Sequence, residues 1–396
     1  MSLGQRMPIQ HQSHARRSGS QKRPIVHFLA GARLINLPRI LWSHGGVSGR
    51  SAFQVMVMVA SALARTPACV VEAVRVARRV REFSFDPPPV FIVGHWRSGT
   101  TYLHNLMSRD PAFCFPTITD VARPFDFYPS PVEPITRWVL LRLLPPTRPM
   151  DDVPLEPHLP QEEEIATATM GALSFFNCLY FPKGLSDVFA KEVLFDGVSA
   201  EALKSWGESL RYFLAKLAAL SPGRRLLLKN PAHSARVPHL RALFPGAKFI
   251  HIHRHPFHVF RSTQKLYRRL LPLLALQRYD QAGIDEHIMW AYPQVVNRLV
   301  DSLQDLPAAD VTTVSYDELL ADPTETIARI YRELDIGDFS CVRPLIQRAA
   351  AQKFRSSPAT FDMDEDTLSR LALLWRPVLD RLGYAMPTAM QRAYTA

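Results

Sequence analysis

The stretch GHWRSGTT, Gly94 to Thr101, decides the fold of this chain. It follows the apolar run PPPVFIV and precedes a helix-like segment, YLHNLM. Its two glycines stand five positions apart, which is the spacing in the phosphate-binding loop G-x-x-x-x-G-K-[ST]. Thr101 occupies the hydroxyl position of that loop, whereas Thr100 occupies the position of its lysine. The stretch predicts a strand, an anion-binding loop and a helix, for a ligand that does not need the loop lysine.

Strand-like and helix-like segments alternate along the middle of the chain. The strand-like segments are PVFIV (89–93), RLLLK (225–229), KFIHIH (248–253) and VTTVS (311–315), and a helix-like segment follows each. Short apolar strands that alternate with helices are typical of an α/β fold with a parallel sheet flanked by helices on both faces. Because ligands bind beyond the carboxyl ends of such strands, we expect the functional residues there.

Polar residues crowd the loop after the first strand. Its backbone N–H groups and the start of the next helix would cradle an anion. Ser98, Thr100 and Thr101 add hydroxyl donors, and Arg97 supplies a positive charge in place of the missing lysine. The alternative is an ordinary strand-to-helix turn that binds no ligand, but such a turn does not need so many polar and glycine residues.

The next two strands also end in basic residues. Lys229 closes the second strand, within reach of a phosphate or a leaving oxygen, and His233 follows four residues later. A lysine that only extends its ammonium group into water is the alternative. Arg254 closes the third strand, and Ser262 stands eight residues further on in the next helix. An arginine fork and a hydroxyl group can converge on one phosphate.

Histidines and cysteines do not form a recognisable metal site in the sequence. Four histidines fall within eight residues, but no carboxylate or cysteine accompanies them: His251, His253, His255 and His258. We expect His251 to be a core histidine. The four cysteines lie far apart without a CxxC pair, which argues against a zinc site or a disulfide scaffold and is compatible with the reducing cytoplasm.

The chain is basic. Its 396 residues include 47 lysines and arginines and 36 aspartates and glutamates, which gives a formal net charge of +11. This charge suits an anionic ligand, a nucleic acid or an anionic membrane surface. Because the arginines are spread along the chain and the sequence contains no recognisable nucleic-acid-binding module, we expect no nucleic-acid partner.

The composition divides the chain into three regions. Residues 1–24 are basic and poor in apolar residues, which predicts a disordered tail. Residues 25–86 predict a helical region, and residues 87–396 predict the α/β domain with a C-terminal helix. The uncharged run SAFQVMVMVASALA, Ser51 to Ala64, has 14 residues and falls short of the roughly 20 that span a bilayer. It predicts a helical layer packed on the main domain, and a membrane-surface or homodimer contact is the alternative.

Three blocks of sequence together resemble one enzyme family. GHWRSGTTYLHNL, the segment from LLLKNPAH to HIHRHPFHVFRST, and TVSYDELLADP have the order and spacing of the sulfotransferases that use 3′-phosphoadenosine 5′-phosphosulfate (PAPS). The segment PPTRPMDDVPLEPHLPQEEEIA is similar to one typical of the bacterial-type branch. The resemblance covers Pro88 to Lys353. It implies the P-loop-like sulfotransferase fold, release of adenosine 3′,5′-bisphosphate (PAP), and transfer without a metal ion.

The resemblance also implies roles for individual residues. The 5′-phosphosulfate loop would consist of Arg97, Ser98, Gly99, Thr100 and Thr101. Arg254 and Ser262 would bind the 3′-phosphate, and Lys229 would reach the bridging oxygen. Tyr316 lies in a Y-E-D-L-like block of the family, here YDEL.

The sequence departs from the family pattern in two places. The late glycine-rich motif with which cytosolic relatives bind the 3′-phosphate is not recognisable, and Lys353 and Arg355 are candidates for its role. His255 stands where relatives often have Asp or Asn.

Sulfuryl transfer needs a base that takes the proton of the acceptor. The segment HLPQEEEIA places His158 near Glu162, Glu163 and Glu164, at the start of a predicted helix. A solvated helix N-terminus is the alternative for these glutamates. Three successive helical side chains point in different directions, however, so one can face the cleft while the others face water. Glu162 is the first choice for the base, and His158 and His233 are the reserves.

The acceptor is expected to be a hydroxyl or amine group. Aromatic and apolar residues in FFNCLYFP (175–182) and LYRRLLPLLALQRY (266–279) predict either a hydrophobic pocket or ordinary core helices. Such a pocket would favour a lipid, a phenol or another apolar alcohol. Two other functions stay open. One is a P-loop kinase or NTPase, which needs a loop lysine and a magnesium-binding aspartate. The other is a nucleotide-binding protein without turnover.

Overall fold

The computed structural model describes residues 26–129, 133–144, 156–281, 283–351 and 363–386. The predicted basic tail lies outside these residues, as do Lys353 and Arg355.

Five parallel strands form one sheet in the order β2-β3-β1-β4-β5. The strands are β1 (Val90–Val93), β2 (Phe113–Cys114), β3 (Arg225–Lys229), β4 (Lys248–His253) and β5 (Val311–Ser315). The four predicted strands are confirmed, and each neighbouring pair in the sheet is parallel. The two-residue strand β2 was not predicted, because two residues are too few to show a pattern.

Sixteen α-helices occur among the described ranges. The first eight are α1 (Leu37–Trp42), α2 (Ala52–Arg81), α3 (Thr100–Met107), α4 (Ile118–Val121), α5 (Glu133–Leu143), α6 (Glu164–Thr169), α7 (Phe175–Tyr180) and α8 (Leu185–Glu192). The others are α9 (Ala200–Ala219), α10 (Val237–Leu243), α11 (Pro256–Leu274), α12 (Gly283–Gln304), α13 (Tyr316–Ala321), α14 (Pro323–Leu334), α15 (Arg343–Ala351) and α16 (Glu365–Leu382).

Alternate residues of the central strands enter two separate cores. Phe91 and Leu228 belong to a core that includes residues of α9, α10, α11 and α12, whereas Ile92 and Leu227 belong to a core with α3, α14 and α15. Successive side chains of a strand point to opposite faces of the sheet, so a sheet covered on both faces needs apolar residues at every position. The prediction of a doubly covered parallel sheet is confirmed.

Helix α2 packs on the α/β domain along its length. It contacts α9 and the short turn Phe28–Gly31, and its buried residues include Met58, Cys69 and Val76. The predicted helical layer is therefore present. The apolar run of 14 residues, which was too short to span a bilayer by itself, is part of a helix of 30 residues. Gly49–Arg81 is the one helical segment in the described chain with the length and apolar composition of a membrane span, and 33% of its most apolar window is buried in the fold.

Candidate active site

The loop between β1 and α3 needs glycine at both of its glycine positions. Gly94 has φ of 147°, and a Cβ atom there would lie 2.2 Å from the carbonyl oxygen of Ile252 on β4. Gly99 has φ of 99°, and a Cβ atom there would lie 2.2 Å from Cδ2 of Tyr316. The glycine spacing thus lets the loop pass close to β4 and to Tyr316, while the first N–H groups of α3 face the loop without intrahelical acceptors.

Residues from three strand ends meet at this loop. Arg97 lies in the left-handed region with φ of 72°, and its Nε donates to Oγ of Ser262 on α11 at 2.8 Å. Arg254 follows β4, and its guanidinium carbon lies 4.7 Å from the centre of the Tyr316 ring. Tyr316, which begins α13 after β5, packs in turn against Gly99. The structure therefore brings together four residues that the sequence predicted at separate strand ends.

Lys229 lies beside the loop on the neighbouring strand. It ends β3, where it pairs in register with Ile92 of β1. Its side chain is 4% exposed, and its Nζ contacts Oε1 of Glu162, whose side chain is 22% exposed. The chain before Glu162 is held by a β-bridge between Thr117 and Pro160. A lysine and a carboxylate thus share the carboxyl edge of the sheet.

The two glutamates that follow are buried, which corrects the prediction that they face water. Nε2 of His233 lies 2.7 Å from Oε1 of Glu163, and both side chains are almost completely buried. Glu164 accepts from both terminal nitrogens of Arg236, at 3.1 and 3.2 Å. All three glutamates therefore point towards the end of β3 and the segment after it, where their partners are a lysine, a histidine and an arginine.

Burial alone would raise the pKa of Glu164. The guanidinium of Arg236, the neighbouring His233 and hydrogen bonds from the Asn230 side chain and the Phe175 backbone outweigh it, and they hold the pKa of Glu164 below its ordinary value. Glu164 is therefore an ionised structural anchor. Sequence analysis missed Asn230, Glu163, Glu164 and Arg236 as a cluster, although NPAHSAR directly follows Lys229 in the chain.

The two reserve candidates for the base differ in exposure: His158 lies at the surface and His233 is buried. The side chain of His158 is 70% exposed, and its Nε2 lies 3.1 Å from Oε2 of Glu156. His233 is buried behind Glu163, with its ring 5.7 Å from that of Phe91. Of the three candidates for the base, Glu162 is the one whose contact with Lys229 is seen among the described residues.

A histidine that the sequence analysis did not single out lies under Lys229. His104 of α3 is fully buried, and one of its ring nitrogens lies 3.3 Å from the carbonyl oxygen of Leu227 on β3. Burial, and then the positive charge of Lys229, lower the pKa of His104 to about 3. A neutral ring at this position adds no positive charge beneath the lysine.

The histidines around β4 have structural partners. Burial and the neighbouring His253 lower the pKa of His251 to about 3, which agrees with its prediction as a core histidine. His253 and the hydroxyl group of Tyr384 are 2.8 Å apart, and His255 lies 3.3 Å from the carbonyl oxygen of Ala385. Among the described residues, no group of three or more His, Cys, Asp or Glu side chains is placed to hold a metal ion.

The two apolar segments considered for an acceptor pocket are core helices. Phe176 and Tyr180 of α7 are buried in the main core. A cavity of about 10 Å³ lies between the loop residue Trp96 and the side chains of Phe175, Phe189 and Tyr267, and it is too small to hold an acceptor. A wider depression lies elsewhere, between residues 45–48, 182–187 and 277–280, and neither Glu162 nor Lys229 lines it.

Comparison with known proteins confirms the resemblance seen in the motifs. The profile of the sulfotransferase family matches residues 88–340. The omega-hydroxy-beta-dihydromenaquinone-9 sulfotransferases Stf3 of Mycobacterium bovis and Mycobacterium tuberculosis are each 30% identical to this chain over 310 residues, which is 78% of this chain and 78% of the relative.

Solved structures share the fold. The sulfotransferase STF9 from Mycobacterium avium superposes with a TM-score of 0.68 at 17% identity, and the match covers 89% of this chain and 90% of that chain. The sulfotransferase STF1 from Mycobacterium tuberculosis superposes with a TM-score of 0.58 at 19% identity and covers 85% of this chain and 90% of that chain. The predicted P-loop-like sulfotransferase fold is therefore confirmed.

Proposed function

Since this chain belongs to the sulfotransferase family and is a sulfotransferase, we propose that it transfers the sulfuryl group of PAPS to the hydroxyl group of an apolar alcohol. The observation that carries this proposal is the contact between Lys229 and Glu162 beside the glycine loop. An anion cradle, a cation for the leaving group and a base for the acceptor then lie at one edge of the sheet.

In this proposal the loop binds the 5′-phosphosulfate of the donor. The N–H groups at the start of α3 and the side chains of Arg97, Ser98, Thr100 and Thr101 would donate to its oxygens. Arg97 is already oriented by its hydrogen bond to Ser262. No lysine is needed in the loop, because PAPS has no γ-phosphate and Lys229 supplies the cation from β3.

The 3′-phosphate would lie between Arg254 and Ser262. Stacking on Tyr316 fixes the plane of the Arg254 guanidinium, and a planar fork that is fixed in advance loses less freedom when it binds a phosphate. The role of the late glycine-rich motif stays assigned to Lys353 and Arg355 as a prediction.

The transfer itself is an in-line displacement at sulfur. The acceptor oxygen forms a bond to sulfur while the bond between sulfur and the bridging phosphate oxygen breaks, and the proton of the acceptor passes to Glu162. Lys229 would stabilise the negative charge that develops on the leaving phosphate. The products are the sulfate ester and PAP.

We propose a lipid or another apolar alcohol as the acceptor. The Stf3 relatives are named for an omega-hydroxylated dihydromenaquinone, which is an apolar molecule with a hydroxyl group. A lipid acceptor implies a cytoplasmic enzyme that touches the membrane surface, and the N-terminal helices are the part of the chain proposed for that contact.

The donor is tested by thermal unfolding in low-salt buffer with PAP and, in parallel, with magnesium ATP. A ligand that binds only the folded state stabilises it by about 2.7 kcal/mol at a hundred times its dissociation constant. We expect PAP to raise the melting temperature and magnesium ATP to have little effect. A shift with magnesium ATP alone would favour the kinase hypothesis, and no shift with PAP would contradict the proposed donor. Labelled PAPS with a panel of apolar alcohols then identifies the acceptor.

A further inference from the structure

Helix α2 has one face on the protein and one face in solvent, and both are apolar. The protein-facing residues include Met58, Cys69 and Val76, which are buried. The exposed face of α2 is defined here by five large apolar residues: Phe53 (59% exposed), Met56 (62%), Leu63 (55%), Val70 (57%) and Val74 (76%). A surface helix of a soluble protein ordinarily carries polar or charged residues on its solvent side.

The exposed residues form one continuous stripe. Phe53, Met56, Leu63, Val70 and Val74, with Ala60 and Pro67 between them, follow each other at alternating spacings of three and four residues. Residues at these spacings lie on one side of a helix. Thr66 is the single polar residue among the exposed positions of α2 between Ala52 and Val74, and none of these positions is charged. Contiguous apolar surface of this kind marks an interaction site.

Positive charge borders the stripe at both ends. Arg50 precedes it, and Arg75, Arg78, Arg79 and Arg81 follow it, all on exposed positions. Glu82, directly after Arg81, pairs with Arg78, whereas Glu72 is buried against Lys216, so positive charge stays in excess at this surface. An apolar helix face bordered by arginines suits the boundary between the acyl chains and the headgroups of an anionic lipid layer.

A second helix with exposed apolar residues, α5, follows a segment that contacts the arginine end of α2. Arg75 donates to the carbonyl oxygen of Pro129, and α5 begins four residues later, at Glu133. None of the α5 side chains is buried, and Ile135 and Trp138 are 63% and 58% exposed. An exposed tryptophan beside exposed aliphatic residues is typical of helices that bind at the membrane interface.

We infer that the exposed face of α2 docks the enzyme on an anionic membrane surface and that the exposed apolar residues of α5 add to this contact. The helix would lie along that surface and would not cross the bilayer. Crossing would separate Glu72 from Lys216 and Arg65 from Asp126, two pairs that α2 forms with the rest of the protein. This inference deepens the proposed lipid acceptor, since it places the enzyme where such an acceptor resides, but vesicle binding does not depend on catalysis.

The charges favour a membrane over a second copy of the chain as the occupant. The spacing of the stripe would also suit a helix pair. In a parallel pair, however, the four arginines at the C-terminal end would face the same four arginines of the other copy. An antiparallel pair would bring them opposite Arg50. The single exposed acidic residue from Ala52 to Glu82 is Glu82 itself, and it already pairs with Arg78.

Vesicle cosedimentation of the full chain tests the inference. The probes are vesicles of phosphatidylcholine alone and vesicles of phosphatidylcholine with one third phosphatidylglycerol. We expect binding to the anionic vesicles that weakens as salt is added, and much weaker binding to the neutral ones. The variant Met56→Glu/Val74→Glu should bind the anionic vesicles at least about tenfold more weakly. Replacing Arg78 and Arg81 by glutamine should weaken that binding by about fivefold for each arginine.

The matched control carries the same substitution elsewhere. Leu373→Glu/Leu374→Glu introduces two glutamates at exposed leucines of α16 and should bind vesicles like the wild type. Every variant should keep the melting-temperature shift with PAP, so a failure of docking is separable from a failure of the proposed donor. Equal vesicle binding by wild type and Met56→Glu/Val74→Glu would overturn the inference. So would a wild-type dimer in sedimentation velocity that this variant dissociates, without vesicle binding.

Discussion

The carboxylate of Glu162 contacts the ammonium group of Lys229 at the carboxyl end of β3. The pair lies at the edge of the buried region, since the lysine is almost fully buried and the glutamate is partly open to solvent. A general base needs this partial exposure, because its carboxylate must contact the acceptor that enters from solvent. The contact also orients both side chains before the substrates bind, which lowers the entropy that the reaction would otherwise lose.

We expect Glu162→Gln to lower kcat by about a hundredfold to ten-thousandfold, which is the usual contribution of a general base. The amide keeps the size of the side chain and an oxygen for the buried Lys229, so the loss of stability should stay within the about 1.5–3 kcal/mol of a hydrogen bond to a charged group. The measurement is the initial rate of transfer from labelled PAPS to an accepted alcohol, with urea unfolding in parallel. Glu156→Gln, the same change at a more exposed glutamate, is the control and should keep the wild-type rate. A Glu162→Gln enzyme with the wild-type rate would remove Glu162 from the mechanism.

Glu164, two residues further on, should matter for stability instead. Its removal by Glu164→Ala leaves Arg236 buried without its carboxylate, and breaking a buried pair typically costs about 3–5 kcal/mol. Urea unfolding of the variant checks this value. Glu286→Ala is the matched control, because Glu286 pairs with Arg370 at 2.7 Å on the surface, where such pairs contribute about 1 kcal/mol or less. Equal losses in the two variants would mean that burial does not set the strength of the Glu164 pair.

The glutamates Glu162, Glu163 and Glu164 show which parts of the site the sequence could predict and which it could not. The sequence predicted the strand ends and their polar residues, because a strand, its loop and the next helix are contiguous in the chain. It named Glu162 and Lys229 as separate candidates, and the structure brings the two side chains into contact. It did not predict the inward direction of Glu163 and Glu164, because their partners His233 and Arg236 stand about seventy residues away and only the folded chain brings them together.

The extent of the apolar face of α2, within the predicted helical region, was not predicted for a similar reason. The charged residues Arg65 and Glu72 interrupt its apolar sequence, which makes the apolar run appear to end at Ala64. In the fold, Arg65 pairs with Asp126 and Glu72 with Lys216, so both charges turn towards the protein and the helix continues. A charge on the protein-facing side of a helix does not interrupt its exposed apolar side, but the partner that explains it is distant in the sequence.

Gly99→Ala should disrupt both the loop and the packing of Tyr316. The new Cβ would meet the Tyr316 ring at 2.2 Å, and φ of 99° is strained for alanine. Strain of that kind costs about 1–2 kcal/mol, and displacement of the ring adds to it. Gly223→Ala is the control, because Gly223 has φ of 77° but open space around its Cα, so it should show the strain alone. Urea unfolding and PAP binding together check the prediction, and equal behaviour of the two variants would contradict the close contact with Tyr316.

Arg254→Ala should weaken the binding of PAP by about tenfold to a hundredfold, since a hydrogen bond to a charged group contributes about 1.5–3 kcal/mol. The affinity for adenosine 5′-monophosphate, which lacks the 3′-phosphate, should stay unchanged. Isothermal titration of both nucleotides measures the difference. Arg261→Ala, a loss of an arginine from the same helix as Ser262, controls for net charge and should affect neither nucleotide. A loss of affinity for both nucleotides in Arg254→Ala would assign Arg254 to a part of the donor other than the 3′-phosphate.

Buried histidines should make the fold unstable in acid. Burial lowers the pKa of His95 to about 4, and it lowers that of His104, His251 and His287 to about 3. An unfolded histidine takes up its proton near pH 6.5, so below about pH 6.5 the unfolded state binds more protons than the folded state. The free energy of unfolding must therefore fall as the pH falls, until the folded pKa values are reached.

The variant His251→Leu isolates one of these protons. It should reduce the slope of unfolding free energy against pH by about 1.4 kcal/mol per pH unit between about pH 6 and pH 4, whatever its effect on stability at neutral pH. Urea unfolding at a series of pH values measures both curves. Above about pH 7.5 they should run parallel, because His251 is neutral there in both states. Parallel curves in acid as well would mean that His251 takes up its proton equally in the folded and the unfolded chain, and that its burial beside His253 does not exclude the charge.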